Sequence, residues 1–134
     1  MFRWVLAGML PLVLAACGTV GTCEDGSGGI RLFGKDVVEV KLDKGLREYE
    51  EGNYDASVAA LQGVLEAKLA DKESQVNAFK YLAFINCISS RERICKEYFR
   101  KILAINPNFE LTPAEAGHPI WGAAFRSVKG KPNK

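Results

Sequence analysis

The chain holds a single histidine, His118, and only two methionines and two tryptophans. It also lacks the short patterns of the common chemistries: there is no Gly-x-Ser-x-Gly elbow, phosphate-binding glycine loop, His-Glu-x-x-His pair or Cys-x-x-Cys. Few routes to catalysis remain, and His118, between Gly117 and Pro119 in a turn, is expected to be structural rather than a general base. Neither sign of charge dominates: 18 basic against 16 acidic residues give a formal +2, which excludes the strongly basic balance of a dedicated nucleic-acid binder. Thirteen Gly and five Pro fall short of a disordered or collagenous composition. A length of 134 residues, 48% of them apolar, leaves room for about one domain and none for a large multidomain enzyme.

Four cysteines are present, and their meaning depends on compartment. Met1 to Arg3 is short and positive, and Trp4 to Ala16 is uncharged and mainly apolar but too short to cross a bilayer, so residues 1–16 read as an export signal. It ends in Leu14-Ala15-Ala16-Cys17, which resembles the lipobox of bacterial lipoproteins. The resemblance implies a mature chain that begins at a lipidated Cys17, where two or more acyl chains anchor stably and one would not. Gly18 follows, not the Asp that tends to retain such proteins at the inner membrane, so the implied address is the periplasmic face of the outer membrane. The alternative is an ordinary secretory signal, with Cys17 a structural cysteine.

Residues 17–40 are expected to be a lipidated tether and arm. Gly18 to Gly29 is rich in Gly and Ser, with a reach of roughly 20 Å as a coil. Ile30 to Val40 is apolar and β-branched enough for a short strand or an extended arm, and the pattern does not decide between them. Residues 41–130 carry helical periodicity and predict an all-α domain of two tetratricopeptide-like hairpins with a C-terminal capping helix. In the first hairpin Leu42, Leu46 and Tyr49 share a face, Gly52-Asn53-Tyr54-Asp55 turns, and Ala56 to Leu65 returns. The second runs from Val76 to Ile85, turns at Ser89-Ser90-Arg91, and continues through Cys95, Phe99, Ile102 and Leu103 to Asn106-Pro107. Phe79, Leu82, Ala83, Cys95, Phe99 and Pro107 follow repeat spacing, with Asn86 where an aromatic is usual and Ser57 at a small position. Thr112-Pro113-Ala114-Glu115 forms a capping box, and a last helix carries Trp121 and Phe125 as buried anchors.

In an oxidising periplasm Cys87 and Cys95, flanking the second turn of a close-packed hairpin, are expected to form a disulfide worth about 2.5 kcal/mol on the chain-entropy model. Cys23 has no assigned role. Two thiols eight residues apart with a distant His118 do not make a structural zinc site, so no metal or other cofactor is expected. Between Cys17 and Ser90 there are 8 basic and 12 acidic residues, and from Arg91 to Lys134 there are 9 and 4. Arg91, Arg93, Lys96, Arg100 and Lys101 supply either a solvated helix face or a contact with an acidic protein or anionic envelope component.

The stretch Tyr81-Leu82-Ala83-Phe84-Ile85-Asn86-Cys87, the cysteine at 95, Phe99, Asn106-Pro107 and the ending His118-Pro119-Ile120-Trp121-Gly122-Ala123-Ala124-Phe125-Arg126 resemble the TssQ-type lipoproteins associated with type VI secretion. The resemblance spans about residues 44–129 plus the lipobox. It implies a non-enzymatic accessory lipoprotein of a secretion apparatus. Tetratricopeptide geometry places Leu42, Leu46, Tyr49, Lys80, Phe84 and Ile88 near a concave, partner-binding side. The expected function is a scaffold or assembly factor that binds an envelope or secretion-system protein, with the membrane reached through Cys17 and neither nucleic acid nor a small-molecule substrate as partner. The alternatives are a pilotin-like carrier for a secretin or pilus subunit, and a periplasmic thiol-redox protein using Cys23 or Cys87.

Overall fold

A computed structural model describes residues 29–130, with the backbone alone for 29–35. The expected export signal, Cys17, Cys23 and the tether lie outside the described residues. The fold is all-helical, without strands among the described residues: α1 (Gly29–Glu50), α2 (Tyr54–Glu66), α3 (Lys72–Ile88), α4 (Glu92–Ile105), α5 (Pro113–Ala116) and α6 (Trp121–Lys129). The pairs α1/α2 and α3/α4 are hairpins, α3 packs on both α1 and α2, and α6 packs on α3 and α4.

Residues 30–40 are neither strand nor arm but the first half of α1. Their β-branched residues weaken helix propensity only slightly, and burial overrides it. Val38 is 3% exposed and packs in one cluster with Leu61, Val64, Ala78, Leu82 and Ile85, all contributed by α2 and α3. Val38, Leu42, Gly45 and Tyr49 therefore form one continuous helical stripe, and the helical unit starts at Gly29 rather than near Lys41.

Close approach between α1 and α2 rests on two small residues. A Cβ at Gly45 would stand 2.6 Å from Leu61 Cδ2. The hydroxyl of Ser57, fully buried, donates to the Gly45 carbonyl at 2.7 Å, which explains a serine at a small position. Gly52 turns the chain at φ +81°, a conformation that favours glycine. Asp71 caps α3 by accepting from the Ser74 N–H. Asn86, buried in α3, satisfies itself by donating to the Leu82 carbonyl at 2.7 Å.

The hairpin α3/α4 turns at Ser90, with φ 60°, and Cys87 and Cys95 are bonded across it with a Cα–Cα distance of 5.1 Å. A second core cluster joins Ala83, Phe84, Cys95, Phe99, Ile102, Leu111, Ala124, Phe125 and Val128. The capping box at the start of α5 is complete: Thr112 accepts from the Glu115 N–H while the Glu115 carboxylate accepts from the Thr112 N–H. At Gly122 a Cβ would collide with the Ala116 carbonyl, the group to which Arg126 Nη1 donates at 2.8 Å. Lys129 ties the end of α6 to the Phe109 carbonyl and the Glu110 carboxylate. Among the described residues no helix is long and apolar enough to cross a membrane.

Candidate interaction surface

The helices α1, α3 and α6 lie side by side, and their facing aromatic residues form a chain of ring contacts. Tyr49 of α1 meets Tyr54 at 5.8 Å and Tyr81 of α3 at 5.0 Å, the latter edge to face. Phe84 sits 5.7 Å from Tyr81 and stacks on Trp121 of α6 with centroids 4.5 Å apart. His118 stacks in turn on Trp121 at 3.2 Å, and its Nδ1 accepts from the Ile120 N–H. The histidine is thus a structural lid on the tryptophan.

Short α5 lies against the same face. Lys80 of α3 donates to Glu115 at 2.8 Å, and the two side chains are only 14% and 19% exposed. Burial alone would raise the Glu115 pKa, but hydrogen bonds from Lys80 and the Thr112 backbone, with the nearby Lys80 charge, bring it below the usual carboxylate value. The Tyr49 phenol is pushed up to about 12, first by burial and then by Tyr54, Tyr81 and Glu115.

This arrangement separates the six residues expected on a concave groove. Phe84 is 2% exposed beneath Trp121, and Lys80 is engaged by Glu115, so neither is open to a partner. The physical reason is that α5 and α6 fold over the face of α3 instead of only closing the open end. Leu42 is half-buried against the first core cluster, at the edge of a cleft of about 340 Å³ with Val38 and Leu69. Leu46 is half-buried, as is Tyr49 within the aromatic row. Ile88, one turn beyond Phe84 on α3, lines a cleft of about 550 Å³ between the α3 end, α4 and α6. Sequence reasoning missed the covering of Phe84, yet a signal existed: Tyr81 to Ile85 is apolar all round the helix, the mark of burial on every side.

The basic face of α4 is partly compensated. Arg93 pairs with Glu97 at 2.7 Å and Lys96 with Glu92 at 2.5 Å, both one turn apart. The hydrogen bond from Lys96, reinforced by its charge, lowers the Glu92 pKa. Lys101 lies over the rings of Phe79 and Tyr98 at 5.4 and 5.3 Å. Arg91 and Arg100 have no ion pair among the described residues. Among those residues no three His, Cys, Asp or Glu side chains assemble into a metal-binding group. No family model matches the chain, and neither a curated protein nor a solved structure matches it.

Proposed function

We propose that the protein is a lipid-anchored interaction module of the bacterial envelope, held at the periplasmic face of the outer membrane through Cys17 and acting as a scaffold or assembly factor for another envelope protein. One observation carries this reading: a rigid stack of disulfide-linked helices leaves an open cleft beside a basic helix face with uncompensated arginines. A solvent-exposed face of that kind suits steered contact with an acidic surface. The lipobox at Leu14 to Cys17 supports the address, and the likeness to TssQ-type lipoproteins makes a type VI secretion apparatus the machine to examine first.

The reading is tested with Cys17→Ser in the full chain. Fractionation is expected to move the protein from outer-membrane to soluble periplasmic fractions, and affinity capture of the wild-type protein is expected to bring down a defined envelope partner. An unlipidated wild-type protein that remains soluble, or a captured protein with no partner at all, overturns it.

A further inference from the structure

We infer that the cleft between α1 and the start of α3 seats an apolar side chain flanked by lysines or arginines, presented by a segment of another protein. This rests on the interaction-module reading above and gives the module a second contact surface, opposite in charge to that of α4. Glu73, Asn77, Lys80 and Phe84 follow one another at four, three and four residues, so they form one stripe along α3. The chain's own α5 and α6 cover the second half of that stripe, with Glu115 on Lys80 and Trp121 on Phe84. The first half is open. Glu73 is exposed, and with Asn77 it lines the cleft of about 340 Å³ shared with Glu39, Leu42 and Asp43 of α1. The covered half shows what complements such a stripe: an opposite charge on its charge and an apolar group on its apolar one.

Every charged side chain lining the open half is acidic, and the carboxylates of Glu39, Asp43 and Glu73 have no ion pair or hydrogen bond among the described residues. The fourth, Asp71, is engaged in capping α3. Lys41, between Glu39 and Asp43 in the chain, reaches instead to the Gly63 carbonyl on α2 at 3.4 Å. The surroundings carry the same sign: residues 36–77 hold ten acidic and five basic residues, so a cationic segment is drawn in and an anionic one repelled. The carboxylates do not gather into a metal-binding group, so they suit separate cationic side chains along a segment better than a single ion. The floor is apolar. Leu42 packs half-buried on the core cluster that holds Val38, and Leu69, lining the same cleft, is 56% exposed. An apolar side chain of the occupant removes that leucine from water. The Asn77 amide, half-buried and without a hydrogen-bond partner among the described residues, is free to bond the occupant's backbone.

The test uses the full chain in cells, with a photo-crosslinking side chain at Leu69 and, separately, at Ile120 in the cleft beside α4. From position 69 the expected adduct joins another protein through a segment in which an apolar residue has lysines or arginines on both sides. Glu39→Gln, Asp43→Asn and Glu73→Gln together are expected to reduce that adduct by about threefold to tenfold, with the thermal melt of the variant confirming that the fold is intact. Glu66→Gln, which removes an exposed carboxylate outside the cleft, is expected to leave it unchanged. An adduct to the protein's own chain, to a second copy, or to a segment without basic residues overturns the inference. So does an adduct indifferent to the three neutral substitutions, or one reduced as much by Glu66→Gln alone. Capture of a protein from position 120 but not from 69 overturns the acidic cleft while leaving the interaction module standing. Capture of no protein from either position overturns both.

Discussion

Phe84 contacts rings from its own helix and three others: Tyr49, Tyr81, Phe99 and Trp121 all lie within 6.5 Å of its centroid. A side chain in that setting holds helices together and has no surface left to offer. Phe84→Ala is therefore expected to lower unfolding free energy by about 3–5 kcal/mol, the usual cost of a deleted buried aromatic. Urea denaturation measures it, and a loss below about 1 kcal/mol would return Phe84 to the list of partner-binding residues. Tyr49 makes a separate statement through pH. Its neutral phenol is favoured in the folded state up to about pH 12, against an ordinary value of 10.0 in the unfolded chain. The contribution is thus complete below pH 10 and lost as pH rises toward 12. Melting temperature followed from pH 9 to 12 should fall less steeply in Tyr49→Phe than in the wild type; equal slopes would show that the phenol is not the group responsible.

At the scale of elements, the capping box of α5 does more than start a helix, because its Glu115 also reaches back to Lys80 on α3. The carboxylate has its pKa lowered by those hydrogen bonds despite its burial. A carboxyl group lowered in the folded state contributes stability above its unfolded value, near 4.5, and loses that contribution as pH falls through the folded value. Glu115→Gln keeps a capping side chain but removes the charge, so its melting temperature should change less than that of the wild type as pH falls below about 4.5. Parallel acid limbs for the two proteins would exclude the Lys80 contact as the source. The element boundaries explain what was legible in the sequence. The hairpin α3/α4 and the capping box depend on near neighbours: period, turn residues and the Thr112 to Glu115 spacing suffice. The start of α1 does not, because Val38 is fixed by Leu61, Val64, Ala78 and Leu82, which lie far along the chain. The covering of Phe84 by Trp121 is equally non-local: it depends on how α5 and α6 return across α3, and repeat spacing only says where a cap belongs.

At the scale of the whole molecule, α3 couples two cores that would otherwise be separate. Leu82 and Ile85 belong to the cluster shared with α1 and α2, while Ala83, Phe84 and Cys87 belong to the one shared with α4 and α6. Because these residues are consecutive on one helix, melting α3 dissolves both clusters, and neither half keeps a core of its own. Stacked repeats can lose cooperativity when their interfaces are weak relative to the repeats themselves, but a single shared central helix removes that freedom. Trp121 reports on the end of the stack farthest from α1, so in a chain prepared from residue 17 onward, where it is the one tryptophan, its fluorescence is a probe of α6, while far-UV circular dichroism reports all the helices. The two signals should give the same denaturant midpoint and the same slope. An earlier fluorescence transition would mean that α6 leaves a still-folded pair of hairpins, and the aromatic contacts between Phe84 and Trp121 would then be too weak to join the two cores into one cooperative unit.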